Sequence, residues 1–348
     1  MYNNIMITYY VSGASGHLGH NVIYEIKSYH QKHLNEDYQI VVFSLINDKY
    51  LDFGEDLNKK ITIVYGNILN KDDCLKFLST SKGDKNFLIH LAGLISIYKK
   101  KDDKVYNVNI NGTKNLLDAS LLNKIDKFIY ISSVDAIKKP PKNELVKEPT
   151  TFNENDVKGV YGKSKAIATN LVLSYNNLGL KTLTIHPSAL FGPNDYFKGP
   201  INRALSQFYN NKLKIIVTGA YDIVDARDVA KGIINSIYLG KENNSYILSG
   251  YHIEIKDLIN LSSKLLNKPS YLLCIPSSAV KLVAPILELH TKIHHIKPLF
   301  TAYSMDCLHQ NSNYSYKKAH DELNYSPREL NESLLDTFNW IKNQNWKN

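Results

Sequence analysis

Short apolar runs alternate with amphipathic stretches through the first half of the chain. The runs at 5–11, 40–43, 61–65, 87–91, 127–132 and 182–186 are compact and bounded by polar residues, which predicts buried strands. Between them, 18–29, 105–122 and 161–175 carry apolar residues at helical spacing, with Val22, Ile23 and Ile26 on one face. Strands separated by helices predict an α/β fold of Rossmann type, a doubly wound parallel sheet with helices on both faces. After His186 the pattern breaks. Pro187, Gly192, Pro193, Gly199 and Pro200 punctuate the chain. Short strands at 213–217 and 246–248 mix with helices at 229–238 and 255–266. The expected organisation is a first domain over 1–188 and a smaller α/β lobe over 189–348, partly interleaved with it. No internal repeat or low-complexity tract interrupts either half.

Composition narrows the class. With 43% hydrophobic and 22% charged residues, the 348-residue chain has the mix of a globular protein with a sizeable core. A net charge of +9 raises nucleic acid as a partner, but arginine, the residue of base readout and phosphate forks, occurs only at 203, 227 and 328. The basic run Lys99–Lys101 is followed at once by Asp102 and Asp103, as in a solvated loop. No nucleic-acid partner is expected. Cys74, Cys274 and Cys307 are far apart and form neither a metal spacing nor a disulfide framework, which fits a reducing compartment. No basic leader with a cleavage site precedes the first strand. The apolar stretch 279–289 is too short to span a bilayer and carries Lys281, Pro285 and Glu288. The expected location is cytoplasmic, without a membrane partner.

The first candidate chemistry lies between the first strand and the first helix. Gly13, Gly16 and Gly19 recur every third residue there. Gly13 serves a tight turn, Gly16 lets the backbone approach a pyrophosphate, and Gly19 lets the helix pack against the strand. The helix N-terminus then offers free N–H groups to phosphates. This reads as a dinucleotide loop, with Ser15, His17 and Leu18 as further contacts; an ordinary tight turn is the plainer alternative.

Tyr161 and Lys165 stand four apart, hence on one helical face. A lysine ammonium near a phenol favours the phenolate, so that the tyrosine exchanges a proton near neutral pH. Spacing alone proves nothing, because Tyr314 and Lys318 share it. Position decides: Tyr161 follows the fifth strand, where its helix meets the carboxyl ends of the strands, the ligand-binding edge of open α/β sheets. Tyr314 reads as structural. Ser132 and Ser133 close the fifth strand, and Ser133 is the candidate to orient a substrate oxygen; both serines would also serve as plain strand terminators.

The three-residue spacing of the glycines resembles the extended short-chain dehydrogenase/reductase superfamily, the NAD-dependent epimerase/dehydratase family, and further motifs extend the likeness over nearly the whole chain. Tyr65-Gly66-Asn67-Ile68 resembles its adenine-contacting turn, with Asn67 where an Asp is usual. His90-Leu91-Ala92-Gly93 is similar to its strand end on the nicotinamide side, and Asn107 to Thr113 to its N-x-x-G-T helix, with Asn109 as the active-site asparagine. His186-Pro187-Ser188 with Phe191-Gly192-Pro193 resembles its R-P-x-x-x-x-G-P segment, His186 replacing the Arg. The segments from Tyr221 to Ala230 and from Tyr316 to Pro327 resemble its return segment and the closing helix of 3β-hydroxysteroid dehydrogenase and dihydroflavonol reductase relatives. The resemblance implies NAD or NADP as cofactor and Ser133, Tyr161, Lys165 and Asn109 as the catalytic group. It adds Asn67, Ile68, Leu91, Ala92, Gly93, Lys165 and Pro187 to the cofactor contacts, and a homodimer as partner arrangement.

The expected reaction is hydride transfer between the nicotinamide and a carbonyl or secondary alcohol of a fairly apolar small molecule. A nucleotide-sugar epimerase with tightly bound NAD is the alternative, and a non-catalytic NADP(H)-binding regulator a further one. A single acid, Asp135, follows Ser133 where dehydratases carry an adjacent acidic pair, and three arginines supply a pyrophosphate clamp poorly. Leu273, Ile275, Val280, Leu282, Val283, Ile286 and Leu287 would line an apolar pocket or form plain helix core. Neither Asp37, which precedes the second strand, nor the neighbours Asp48 and Lys49, which point opposite ways, decides between NAD and NADP. No metal site is expected.

Overall fold

The computed structural model describes residues 5–34, 36–96, 102–281, 302–344 and 346. Its centre is a seven-stranded parallel sheet. In chain order the strands are β1 (Met6–Ser12), β2 (Asp37–Ser44), β3 (Ile61–Tyr65), β4 (Lys85–His90), β5 (Lys127–Ile131), β6 (Thr182–Pro187), β7 (Ala189–Phe191), β8 (Ile215–Val217), β9 (Ala220–Asp225), β10 (Asn244–Leu248), β11 (Tyr251–Glu254) and β12 (Leu273–Ile275). The main sheet runs β10-β6-β5-β4-β1-β2-β3. Its inner strands are buried on both faces, β6 along its whole length, which is why they read as continuous apolar runs, whereas the edge strand β3 is only partly buried.

The helices are α1 (His17–His33), α2 (Glu55–Asn58), α3 (Lys71–Ser79), α4 (Asp103–Tyr106), α5 (Thr113–Asn123), α6 (Gly159–Ser174), α7 (Pro200–Tyr209), α8 (Ala226–Leu239) and α9 (Ile255–Leu266), followed by Ala302–Leu308, Lys317–Leu323 and Leu330–Asn343. One core, with Val22, Ile23, Ile26, Ile233 and Ile237, lies beneath α1 and α8. A second, with Phe77, Leu116, Leu117, Ala168 and Val172, lies beneath α3, α5 and α6. The strand order reverses between β1 and β4, and the crevice at their carboxyl ends is the topological switch point of a doubly wound sheet.

The second half of the chain does not stand apart. The strand expected at 246–248 within the smaller lobe is β10, which pairs parallel to β6 and extends the main sheet, Tyr246 opposite Ile185. The rest of that half forms two small sheets, β11-β9-β7 and β12-β8, over a third core that includes Phe191, Leu205, Phe208, Leu334 and Phe338. Of the apolar stretch proposed for a pocket, Leu282, Val283, Ile286 and Leu287 lie outside the described residues. Val280 packs with Val217, Met305 and Leu308, whereas Leu273 is exposed on β12.

Candidate active site

The glycine loop joins β1 to α1. Gly13 has φ +79°, and a Cβ on it would lie 2.7 Å from the Ala92 amide nitrogen, so only glycine lets the turn press against the end of β4. Gly19 is equally constrained, by the loop rather than by a strand: a Cβ there would lie 2.3 Å from Gly13 O and 2.6 Å from Ala14 Cα. Gly16 is different. Its nearest neighbour would be Gly13 O at 3.4 Å, and as the N-cap of α1 it brings no side chain to the first amides of the helix. Leu18 turns its side chain into the core, which leaves only its backbone to contact a ligand. His17 Nε2 lies 3.0 Å from Pro193 O, which ties the start of α1 to the chain after β7.

A buried hydrogen-bond chain connects this loop to the catalytic candidates. Thr113 Oγ1 donates to Asn109 O at 2.7 Å and therefore accepts from His90 Nε2 at 2.9 Å. That fixes the His90 tautomer, leaving Nδ1 to accept from Ser12 Oγ at 2.7 Å. Burial first, and the Lys165 charge second, push the His90 pKa down to about 3, which keeps the ring neutral. Asn109 sits in a π-helical turn, Asn107–Gly112, between α4 and α5. Its Oδ1 accepts from the Leu94 amide at 2.8 Å, and its Nδ2 donates to Leu94 O at 3.0 Å and to Ser164 Oγ at 2.9 Å. Ser164 Oγ in turn donates to Tyr161 O at 2.8 Å. Asn109 thus braces α6 on the turn that carries the tyrosine. Ser164 carried no signal in the sequence, because its role depends on a partner 55 residues away.

Tyr161 stands in the first turn of α6, and the Ser133 side chain beside its phenol favours the phenolate. Ser133 Oγ also accepts from the Asp135 amide at 3.1 Å, and His186 Nδ1 lies 3.0 Å from Ser133 O. The histidine in the usual arginine position therefore holds the serine backbone in place. Ser132 is bonded to Thr169 Oγ1 at 2.7 Å, inside the protein. Lys165 is buried, donates to Ile131 O at 2.7 Å and lies 4.7 Å from the Tyr130 ring centroid. A Cβ on Gly93 would lie 3.3 Å from its Nζ and 3.2 Å from Asn109 Oδ1, so the Gly93 backbone covers both groups.

Electrostatics correct one expectation. Tyr161 is not tuned toward the phenolate: burial raises its pKa above the ordinary value, the Asp135 charge adds to the rise, and the Ser133 side chain opposes it. Lys165 leans toward the Ile131 carbonyl, and burial lowers its own pKa to about 7. Asp135 is itself raised by burial, an effect that Lys139 opposes, while burial brings Lys139 down to about 8. Lys139 bonds Val134 O and lies 4.5 Å from the Tyr314 ring centroid. Asp135, the charged group that acts on the tyrosine, was not singled out in the sequence as affecting its proton.

The remaining candidates lie around the same edge. The Leu91 amide donates to Ser12 O at 3.0 Å and the Ala92 amide faces Ser12 Oγ at 3.4 Å. Pro187 ends β6 opposite Leu248. Asn67 and Ile68 follow β3; Asn67 Oδ1 accepts from the Leu69 amide at 3.0 Å, and a Cβ on Gly112 would lie 2.9 Å from Ile68. The carboxylate at this turn is Asp73 of α3, which accepts from the Asn67 amide at 2.8 Å. Two of the three arginines are engaged with carboxylates: Arg227 with Asp225 and Asp336, and Arg328 with Asp228. Among the described residues no group of three metal-ligating side chains gathers, and no helix is long and apolar enough to cross a membrane.

A seven-stranded parallel sheet reversing at β1/β4, with a glycine loop at the reversal, defines the extended short-chain dehydrogenase fold. The dTDP-glucose 4,6-dehydratase of Bacillus anthracis, solved in complex with NAD, shares it with a TM-score of 0.76 over 98% of each chain at 17% identity. The chain belongs to the 3-beta hydroxysteroid dehydrogenase/isomerase family, whose pattern matches residues 10–247. Several relatives align along nearly their whole length. A Synechocystis protein named provisionally as a dihydroflavonol 4-reductase is 24% identical over 97% of this chain and 95% of its own. Sterol demethylase protein B of Methylococcus capsulatus is 22% identical over 97% and 98%.

Proposed function

We propose that this protein is an NAD(P)-dependent dehydrogenase or reductase acting on a carbonyl or secondary alcohol of a fairly apolar small molecule. The observation that carries the reading is that Tyr161, Ser133 and Lys165 lie together at the carboxyl edge of the sheet, with the Tyr161 carbonyl joined by hydrogen bonds through Ser164, Asn109, Thr113 and His90 to Ser12, which leads into the glycine loop. That loop suits a dinucleotide: Gly16 opens onto space that a Cβ would fill, and the α1 amides have no side-chain cap.

In this reading Gly13, Ser15, Gly16, His17 and Gly19, with the Leu18 backbone, hold the pyrophosphate. Asn67 and Ile68 border the adenine, Leu91, Ala92, Gly93 and Pro187 the nicotinamide side, and Lys165 the ribose. When bound, the nicotinamide supplies or accepts the hydride. Tyr161, protonated at neutral pH, donates a proton to the nascent alkoxide during reduction and takes it back during oxidation. Ser133, whose Oγ is already fixed by the Asp135 amide, orients the substrate oxygen. The family description and the sterol-related name support an apolar substrate. The engagement of Arg227 and Arg328 with carboxylates leaves them poorly placed to clamp a sugar-nucleotide pyrophosphate.

The deciding experiment is to denature the purified protein and identify what it releases. The expected result is little or no bound nucleotide, together with reversible binding of a nicotinamide dinucleotide by the empty protein. Stoichiometric, tightly held NAD would instead mark an internal redox cycle, as in an epimerase. Failure to bind any nicotinamide nucleotide would sink the reading.

A further inference from the structure

β2 ends at Ser44 without an acid, and the chain then turns outward over 45–54 before reaching α2. Asp48 folds back from this turn to the strand end. Its Oδ2 accepts from Ser44 Oγ at 2.7 Å and from the Leu45 amide at 3.3 Å. Ser15 Oγ of the glycine loop lies 3.5 Å from the same oxygen, and the Asp48 amide closes the turn on Leu45 O at 3.0 Å. Two hydrogen-bond donors from the strand end and a hydroxyl of the glycine loop thus surround one carboxylate oxygen. Asp48 is half-buried there, whereas Lys49 is exposed.

The turn is also held from its far side. Tyr50 adopts a left-handed φ of 63°, a conformation that costs a non-glycine residue about 1–2 kcal/mol. Its ring stacks on Tyr196 at 5.2 Å and meets Phe197 edge-on at 5.3 Å. Tyr196 in turn packs against His20 at 4.7 Å and Trp340 at 5.6 Å. These contacts offset the strain and anchor the turn to the segment after β7. Asp37, the other acid near this strand, pairs with Met6 at the opposite end of the sheet.

In folds of this kind the adenosine ribose lies over the carboxyl end of the second strand, and an acid there accepts from its hydroxyls. The same charge repels a 2′-phosphate. We infer that Asp48, delivered by the turn rather than by the strand, selects NAD(H) over NADP(H). The inference rests on the dinucleotide reading above and adds the choice between the two cofactors.

Binding of NADH and NADPH to the purified protein, followed by nicotinamide fluorescence and checked by calorimetry, tests it without turnover. The wild type is expected to bind NADH at least about tenfold more tightly than NADPH, the scale of one like-charge contact. In Asp48→Asn the ratio is expected to fall to within a few-fold, mainly because NADPH binds better. A wild type with equal or stronger affinity for NADPH overturns the role of Asp48 and leaves the oxidoreductase reading intact, as does a variant that keeps the full ratio. A protein that binds neither cofactor overturns both. The wild-type ratio stands as a test even if the variant does not fold.

Discussion

At Tyr161 opposing influences meet, and burial, with the Asp135 charge, outweighs the Ser133 side chain. The phenol is therefore the resting form, and the phenolate needed to oxidise an alcohol grows about tenfold per pH unit below the tyrosine pKa. Oxidation is expected to accelerate across the alkaline range while reduction, which uses the phenol, stays level; kcat/KM measured in both directions against pH checks this. Asp135 is among the causes of the raised pKa, so Asp135→Asn is expected to lower it and shift the rise in oxidation rate to lower pH. Tyr161→Phe is expected to lose about 10²–10⁴-fold in kcat in both directions, the usual contribution of a positioned acid–base group. The tyrosine and lysine were legible from spacing and position, but the direction of the tyrosine shift was not. It depends on desolvation by residues remote in sequence and on the lysine choosing a carbonyl over the phenol.

Among the elements, the glycine loop separates folding from binding. A Cβ at residue 19 would collide with backbone, which cannot move aside without displacing the start of α1, whereas a Cβ at residue 16 meets only an ordinary contact. Gly19→Ala is therefore expected to lower the melting temperature markedly. Gly16→Ala is expected to fold with a melting temperature near that of the wild type yet lose dinucleotide affinity tenfold or more, on the order of 1.4 kcal/mol. Calorimetric melting and ligand titration of the two variants check both halves; a Gly16→Ala protein with unchanged affinity would remove the loop from the binding site. The motif spacing predicted both glycines. The π-helical turn at Asn107–Gly112 had no such signal, since a single wide turn is too short to set a period of its own.

For the whole molecule, the elements of the returning second half are tied to one another by charge as well as by apolar packing. Arg227 donates to both Asp225 oxygens, at 3.0 and 2.7 Å, and to Asp336 at 2.6 Å, linking the start of α8 to the C-terminal helix Leu330–Asn343. The Asp225 side chain is only 1% exposed, so Arg227→Ala leaves a buried carboxylate with Arg328 at 3.7 Å as its remaining cation. Losing one partner of such a pair costs about 3 kcal/mol, and chemical denaturation is expected to show a loss of that order. An unchanged denaturation midpoint would mean that the pair adds nothing to the fold.

The order of the strands in the first half, the glycine turn between β1 and α1 and the placing of Tyr161 and Lys165 on one helix were readable in the sequence because each rests on short-range rules: period, helical spacing and the dihedrals open to glycine. Other features were settled only by the tertiary structure. Ser132 bonds inward to Thr169 while Ser133 faces Tyr161, Tyr246 sits in the main sheet, and Asp48 returns to the end of β2. In each case the outcome depends on a partner or a register brought together by folding, and on the water that folding removes, neither of which is encoded at any single position of the chain.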